Sequence, residues 1–153
     1  MSQIDHSMYK PLFLILLTLN ISFLLYKLIR AIMRSTRRRS PPSDLVLVII
    51  VNKDLKMSKG KVIAQVGHMV SKVVRKAVNV DEWVDNGEAK IVLKAGYEEM
   101  RSIGRGAKSA GVPVNSIYDA GRTQVPAGSN TLIGLGPWSK AEVSVYTKDL
   151  KMY

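Results

Sequence analysis

The residues best suited to chemistry lie in a short loop in the last third of the chain. Asp119-Ala120-Gly121-Arg122-Thr123-Gln124 brings a carboxylate, a guanidinium and a hydroxyl together, and Gly128-Ser129-Asn130-Thr131 adds two hydroxyls. Two β-branched runs, 114–118 and 131–135, flank this loop and predict strands. Loops held between strands are where a rigid scaffold commonly presents chemical groups. These residue types favour a polar substrate over a packed core.

A long amphipathic helix is the element that must bring a second set of polar groups to this loop. Ser58 is a suitable N-cap, and apolar residues recur at helical spacing from Val62 to Val74. The opposite arc carries polar side chains and cations with no acid to neutralise them: Lys61, Gln65, His68, Lys72, Arg75 and Lys76. We expect the apolar arc to pack on a sheet and the polar arc to be exposed.

The N-terminus of this helix is predicted to attract anions, because Lys59 and Lys61 lie in its first turn. A phosphate loop of the Walker type is excluded, since its first glycine is missing and Val62 stands where Ser or Thr is needed.

The remaining pattern predicts an α/β fold. Strands are predicted at four apolar runs: 45–51, 89–95, 114–118 and 131–135. Helices are predicted over 58–78, 97–110 and 139–147, with a short helix or turn at 81–87. Alternation of strands with helices predicts right-handed crossovers among the first three strands. The fourth strand follows a non-helical loop, so we expect it to run antiparallel to a neighbour.

Composition narrows the function. The 153 residues include no cysteine, which excludes a disulfide framework, a zinc–thiolate site and a cysteine nucleophile. His6 and His68 are too few and too far apart to suggest a metal site. A net charge of +11 indicates an anionic partner, either nucleic acid or a membrane surface. Residues 44–153 alone carry sixteen Lys and Arg against eleven acids, so the domain is basic by itself.

The N-terminal segment has a different composition from the rest of the chain. No charge occurs from Pro11 to Tyr26, and a cluster of Lys and Arg follows. This run is short for a span of roughly 20 residues, and it reaches that length only if Lys27 and Arg30 snorkel. We predict a hydrophobic anchor over 1–33, a basic Pro/Ser linker over 34–43 and a folded domain over 44–153.

The predicted anchor implies contact with membrane lipid through residues 11–33. Because Lys and Arg favour the cytosolic side of a span, the domain would lie in the cytosol, with the mitochondrial outer membrane as one candidate. An Arg-rich organelle-targeting sequence is the alternative. A cleaved secretory signal is disfavoured, because the positive cluster follows the apolar run.

Two of the chemical candidates also have structural interpretations. Asp119 at a strand end is typical of an Asx turn, and His68 is typical of a solvated helix histidine. A triad of Ser71, His68 and Asp119 is disfavoured, because nothing around Ser71 resembles a nucleophile elbow.

Two long motifs resemble the type-II peptidyl-tRNA hydrolases. The first is Asp54-Leu55-Lys56-Met57-Ser58-Lys59-Gly60-Lys61-Val62-x-Ala64-Gln65-x-x-His68. The second joins 119–124 to Gly128-Ser129-x-Thr131-x-x-Gly134-x-Gly136-Pro137, and the closing residues 150–153 are also similar. The resemblance covers residues 45–153, nearly the whole predicted domain.

The resemblance implies a fold and an activity. The fold is a mixed four-stranded sheet between helical layers (three-layer α/β/α), here preceded by the predicted N-terminal transmembrane or signal-anchor helix. The activity is hydrolysis of the ester between a peptide and the 3′-terminal ribose of tRNA, which recycles peptidyl-tRNA, with no cofactor and no metal. The implied active-site residues are Lys61, Gln65, His68, Asp119, Thr123 and Thr131, with the role of His68 open.

From the charge pattern and this substrate, we predict which residues bind RNA: Lys59, Lys72, Arg75, Lys76 and Arg122. Three departures from the family pattern are Ala127 before the loop glycine, Gly67 and Met69 around His68, and Trp138 after Pro137. We expect Trp138 to narrow the site or to stack on a base.

Two alternative functions remain for the same fold, a membrane-tethered adaptor and a non-catalytic RNA-binding module. The sequence also leaves open a homodimer.

Overall fold

The computed structural model describes residues 9–35 and 44–153, and the chain divides into two units, Met1–Pro41 and Pro42–Tyr153. Within the first unit, the described residues form one helix, α1, Tyr9–Ser35. The predicted linker over 34–43 lies almost wholly outside the described residues, so the three-part division of the chain stays a prediction.

The predicted transmembrane or signal-anchor helix is contradicted. Among the described residues, no helix is both long enough and apolar enough to cross a membrane. The uncharged run from Pro11 to Tyr26 rises only about 24 Å at 1.5 Å per residue, against a hydrocarbon core of about 30 Å. Thr18, Asn20 and Ser22 also interrupt its apolar character. The predicted membrane-anchored location with a cytosolic domain depended on this helix, so that prediction is wrong as well.

The second unit is built on a mixed sheet of five strands. They are β1 (Leu45–Asn52), β2 (Lys90–Ala95), β3 (Val114–Tyr118), β4 (Asn130–Ser139) and β5 (Lys151–Met152). Their spatial order is β3-β4-β1-β2-β5, in which β1 and β2 are parallel and all other neighbours are antiparallel. The predicted antiparallel fourth strand is therefore observed, between β1 and β3. The predicted count of four strands is wrong, because the chain ends in a fifth strand of only two residues, too short to carry a periodic pattern.

Four helices and a 3₁₀ turn at Lys53–Leu55 complete this unit. The helices are α2 (Lys59–Lys76), α3 (Val80–Asp85), α4 (Tyr97–Ser109) and α5 (Lys140–Thr147). Ser58 caps α2, where its side chain accepts a hydrogen bond from the Lys61 amide at 3.4 Å. The predicted bounds of the long helix are therefore correct at its start and two residues too long at its end.

Strand β1 explains why helices cover both faces of the sheet. Val48 and Ile50 pack in a cluster with Met100 of α4 and Val143 of α5. Leu47 and Ile49 point to the other face and pack with Met69 and Val73 of α2 and Trp83 of α3. An unbroken apolar run is what a strand buried on both faces requires, and the result is three layers, α/β/α.

The apolar arc of α2 is wider than the surface that the sheet covers. Ile63 and Val74 were expected to pack, but they are 71% and 47% exposed, whereas Val62, Met69 and Val73 are buried. Helical spacing correctly placed the centre of the packed face, and the flanks of the arc remain in solvent.

Candidate active site

Edge strand β3 and the first turns of α2 meet on one side of the sheet, and they bring the two main candidates together. Asp119 follows the last residue of β3, and Lys61 is the third residue of α2. The Lys61 ammonium forms an ion pair with Oδ2 of Asp119 and donates a hydrogen bond to Oγ1 of Thr123 at 2.9 Å. An ammonium has three N–H donors, so these two contacts leave one donor for another group.

Gln65, one turn further along α2, holds the same carboxylate from inside the protein. Its Nε2 donates to Oδ2 of Asp119 at 2.8 Å, and its Oε1 accepts from the hydroxyl of Thr131 at 2.9 Å. These two contacts fix which end of the amide faces Asp119. Gln65 was expected on an exposed arc, but it is buried. Periodicity within one helix could not reveal this, because the groups that cover Gln65 come from β3, β4 and the loop between them.

Asp119 both forms the predicted Asx turn and contacts the candidate catalytic residues. The Gly121 amide donates to Oδ1 at 2.8 Å, which closes an Asx turn, while Oδ2 receives Lys61 and Gln65. Gly121 has a φ of 77°, and a Cβ there would lie 2.5 Å from the Ala127 amide nitrogen. The turn that aims the carboxylate therefore requires glycine at this position.

The electrostatics of Asp119 follow from these donors. The hydrogen bond from Lys61, followed by that from the Gly121 amide, lowers the pKa of Asp119 below its ordinary value, against an opposing contribution from desolvation. The charge of Lys61 and the hydrogen bond from the Gln65 amide also lower this pKa. Asp119 is therefore an anion at neutral pH and a weak base.

Gln124 and Ser58 tie the loop to the start of α2. The Ser58 amide donates to Oε1 of Gln124 at 3.0 Å, and Nε2 of Gln124 donates to Oγ of Ser58 at 2.8 Å. This paired contact keeps Lys61 and Thr123 close together. Gln124 belonged to a recognised motif, but its role was not predicted, because its partner lies 66 positions away in sequence.

Asn52 is a second residue that the sequence reasoning missed. It ends β1, is buried, and donates from Nδ2 to the carbonyl of Asn130 at 3.1 Å. This bond joins the end of β1 to the start of β4, next to Thr131. A buried amide directly after an apolar strand was the signal available.

An open cleft of ≈ 950 Å³ lies in front of the Lys61–Asp119 pair. His68 is exposed and lines this cleft, as do the basic side chains of Lys72, Arg75, Lys76 and Arg122. The Lys72 ammonium donates to the carbonyl of Ser116 at 2.8 Å, so one of its hydrogen-bond donors is already used within the protein. Lys59 is exposed but does not line the cleft.

Trp138 does not reach this cleft, contrary to expectation. Its Nε1 donates to Oε2 of Glu142 at 2.6 Å, and its ring packs on the α4–α5 side of the sheet. Of the three departures from the family pattern, Ala127 lies against Gly121 within the loop, and a Cβ at Gly67 would meet no group outside its own helix within 4 Å.

A polar network with one fixed ammonium suits chemistry at a carbonyl. Lys61 can present its remaining donor to an oxygen that gains negative charge, and Thr123 can orient a water or a hydroxyl. Preorganised donors of this kind stabilise an oxyanion.

Comparisons with known proteins agree with the motifs. A family model described as "Peptidyl-tRNA hydrolase PTH2" matches residues 45–153. A peptidyl-tRNA hydrolase of Methanococcus maripaludis is 39% identical over 110 residues, which are 68% of this chain and 95% of that protein. Peptidyl-tRNA hydrolase 2 of Saccharomyces cerevisiae is 37% identical over 131 residues, 78% of this chain and 63% of that protein.

A solved structure of a protein of unknown function from Agrobacterium is similar in fold alone. It aligns with a TM-score of 0.54 at 10% identity and covers 72% of this chain and 98% of its own.

Proposed function

Because this chain belongs to the PTH2 family of peptidyl-tRNA hydrolases, we propose that Lys61 and Asp119 carry the chemistry of that family in it. The reaction is hydrolysis of the ester between a peptide and the 3′-terminal ribose of tRNA. The observation that carries this assignment is the ion pair between Lys61 and Asp119 at the floor of a basic cleft.

Asp119 acts on the substrate through Lys61 and does not serve as the base. Its carboxylate already accepts three hydrogen bonds, from Lys61, Gln65 and the Gly121 amide. Its lowered pKa makes removal of a proton from water unfavourable. Its negative charge instead holds the Lys61 ammonium in one position.

Water adds to the ester carbonyl in the proposed step. The carbonyl oxygen gains negative charge and receives the free N–H of Lys61, and the bond from the acyl carbon to the ribose oxygen then breaks. The hydroxyl of the water stays on the peptide, and its proton passes to the ribose oxygen. Thr123, which accepts from Lys61 and keeps its own O–H, orients the attacking water.

Thr131 has a positioning role and does not contact the substrate. It is fully buried, and its hydroxyl donates to Oε1 of Gln65 at 2.9 Å. The same hydroxyl lies 3.2 Å from the carbonyl of Ile117. Thr131 therefore orients Gln65, which in turn orients Asp119.

The outer part of the cleft binds the tRNA phosphates in this proposal. Arg75, Lys76 and Arg122 line it with exposed side chains, and Lys72 lies beside β3. Contacts with phosphates make affinity fall steeply with salt. Lys59 lies at the start of the same helix and outside the cleft, so its predicted contribution to RNA binding is only through the general positive field.

Single-turnover hydrolysis of peptidyl-tRNA by the full chain tests the assignment. Lys61→Ala should lower the rate by about 10²- to 10³-fold, the usual cost of losing one oxyanion donor. Lys140→Ala is the control, since it removes a lysine near the start of another helix, exposed and outside the cleft. A wild-type rate in Lys61→Ala would remove this lysine from the chemistry. A wild-type chain that binds tRNA without turnover would favour the RNA-binding module.

The predicted homodimer stays a prediction, and light scattering on the full chain measures it directly.

A further inference from the structure

A second groove lies on the opposite face of the sheet, between α4 and the edge strand β3. It has a volume of ≈ 390 Å³. Tyr97, Arg101, Gly104 and Lys108 lie at spacings of four, three and four residues along α4, so they form one stripe that borders the groove. Arg105 lines it beside this stripe.

The groove is basic, and two of its cations are available to a ligand. Arg101 lies 3.9 Å from Oε1 of Glu98 and stacks over the ring of Tyr97, with its guanidinium carbon 5.6 Å from the centroid. Arg105 and Lys108 are exposed. Within residues 44–153, no carboxylate oxygen lies within 4 Å of a side-chain nitrogen of either.

The absence of a side chain at Gly104 keeps α4 close to the sheet under this groove. A Cβ at this position would lie 3.2 Å from Cδ1 of Ile133 and 3.8 Å from Cγ1 of Val114. Both neighbours line the groove, so a Cβ at Gly104 would fit only if the Ile133 side chain shifted slightly.

The groove and the active-site cleft meet at the edge of the sheet. Ser116 and Tyr118 of β3 line both of them. Strand β3 is terminal in the sheet, so no further strand separates the two surfaces. Tyr118 directly precedes Asp119 and is 63% exposed. An exposed aromatic ring therefore stands at the junction, one residue from the carboxylate that holds Lys61.

We propose that this groove binds the unpaired 3′-terminal nucleotides of the tRNA substrate, with a base on Tyr118 and phosphates on Arg105 and Lys108. The proposal rests on the proposed function, because that function places the 3′-terminal ribose at Lys61. The nucleotides next to this ribose need a binding surface close to Asp119. Tyr118 is the residue at which that surface begins, because it lines both the cleft and the groove. Stacking rings beside cations are the combination that binds single strands without reading their sequence.

The nascent peptide is the other part of the substrate that could occupy this groove. A peptide has no regular negative charge, whereas three cations border the groove and only Glu98 offsets one of them. The charge therefore favours the nucleic acid, and the peptide becomes an outcome of the test.

The test measures kcat and KM of the full chain with peptidyl-tRNA at several salt concentrations. Arg105→Gln/Lys108→Gln should raise KM about tenfold at 0.15 M salt and reduce the slope of log affinity against log salt by about 1.4, since each single-strand phosphate contact contributes about 0.7. The value of kcat should stay unchanged. Lys94→Gln/Lys151→Gln removes the same charge at the opposite edge of the sheet and should leave KM and slope near wild type.

Tyr118 provides a second test that does not depend on charge. Tyr118→Leu should raise KM roughly 5- to 150-fold, the range expected when one stacked base is lost. Tyr118→Phe keeps the ring and should retain the wild-type KM. Equal thermal midpoints for all variants show that folding is unaffected.

Two results would overturn the proposal. One is an Arg105→Gln/Lys108→Gln variant that behaves like its control on the opposite edge. The other is an equal rise in KM for a peptidyl ester of a single nucleoside, which would place the peptide in the groove. If Lys61→Ala loses activity but the groove variants have no effect, this inference fails and the proposed function stands. If Lys61→Ala keeps its activity, the proposed function itself fails.

Discussion

The two sets of charges on the cleft side of the sheet differ in how firmly the protein holds them. Lys61 and Asp119 are nearly buried and paired, and Gln65, Thr123 and the Gly121 amide complete their hydrogen bonds. Arg75, Lys76 and Arg122 line the same cleft with exposed side chains. A fixed pair serves one geometry, as a reaction at a single carbonyl requires. In the proposed function, exposed cations suit a polyanion whose phosphates need no single arrangement.

The largest effect should come from breaking the fixed pair without changing its shape. Asp119→Asn removes the negative charge that positions the Lys61 ammonium, and we expect kcat for peptidyl-tRNA to fall by about 10²- to 10³-fold. KM should change much less, because the outer cations remain. Steady-state kinetics on the full chain measures both values. A variant with an intact kcat and a raised KM would instead assign Asp119 to binding.

The exposed cations should show the opposite split between kcat and KM. Arg75→Gln/Lys76→Gln should raise KM roughly tenfold at 0.15 M salt and flatten its salt dependence by about 0.7–0.9 per lost contact, with kcat unchanged. The matched variant is Lys94→Gln/Lys151→Gln, on strands away from the cleft. If kcat fell with KM unchanged, these cations would belong with the fixed set.

A smaller effect is expected behind the fixed pair, at Thr131. Thr131→Val keeps the shape but leaves Oε1 of Gln65 without its buried donor, which costs about 1–3 kcal/mol of folding stability. Thermal unfolding measures this loss. Because the amide of Gln65 is then free to turn, kcat should also fall, by less than in Asp119→Asn. Thr131→Ser restores the hydroxyl and should recover kcat, which a purely structural role of the methyl group would not explain.

Local signals predicted the elements that position the site. Strand β3 has its predicted bounds, and α2 begins after the predicted Ser58 cap, because β-branched runs and N-caps act within a few residues. The motifs also identified Lys61, Gln65, Asp119 and Thr123, which the structure brings together.

Features that depend on distant partners were not predicted. The burial of Gln65 and the pairing of Gln124 with Ser58 need the loop after β3, whose contacting residues lie 54 and 66 positions away in sequence. Strand β5 exists only through its pairing with β2. The prediction of a transmembrane helix failed for a different reason. It relied on apolar composition, which alone does not supply the length needed to cross a membrane.

The smallest effect concerns the charge state of the fixed pair. Because the pKa of Asp119 is lowered in the folded protein, its contribution to stability is present above the ordinary pKa of aspartate and is lost as pH falls through the folded value. The difference in the free energy of unfolding between wild type and Asp119→Asn should therefore be constant near neutral pH and shrink only in acid. Urea unfolding at several pH values measures it. A difference that disappeared between pH 5 and 7 would mean that Asp119 titrates as a general base, and it would move this carboxylate from positioning Lys61 to activating the water.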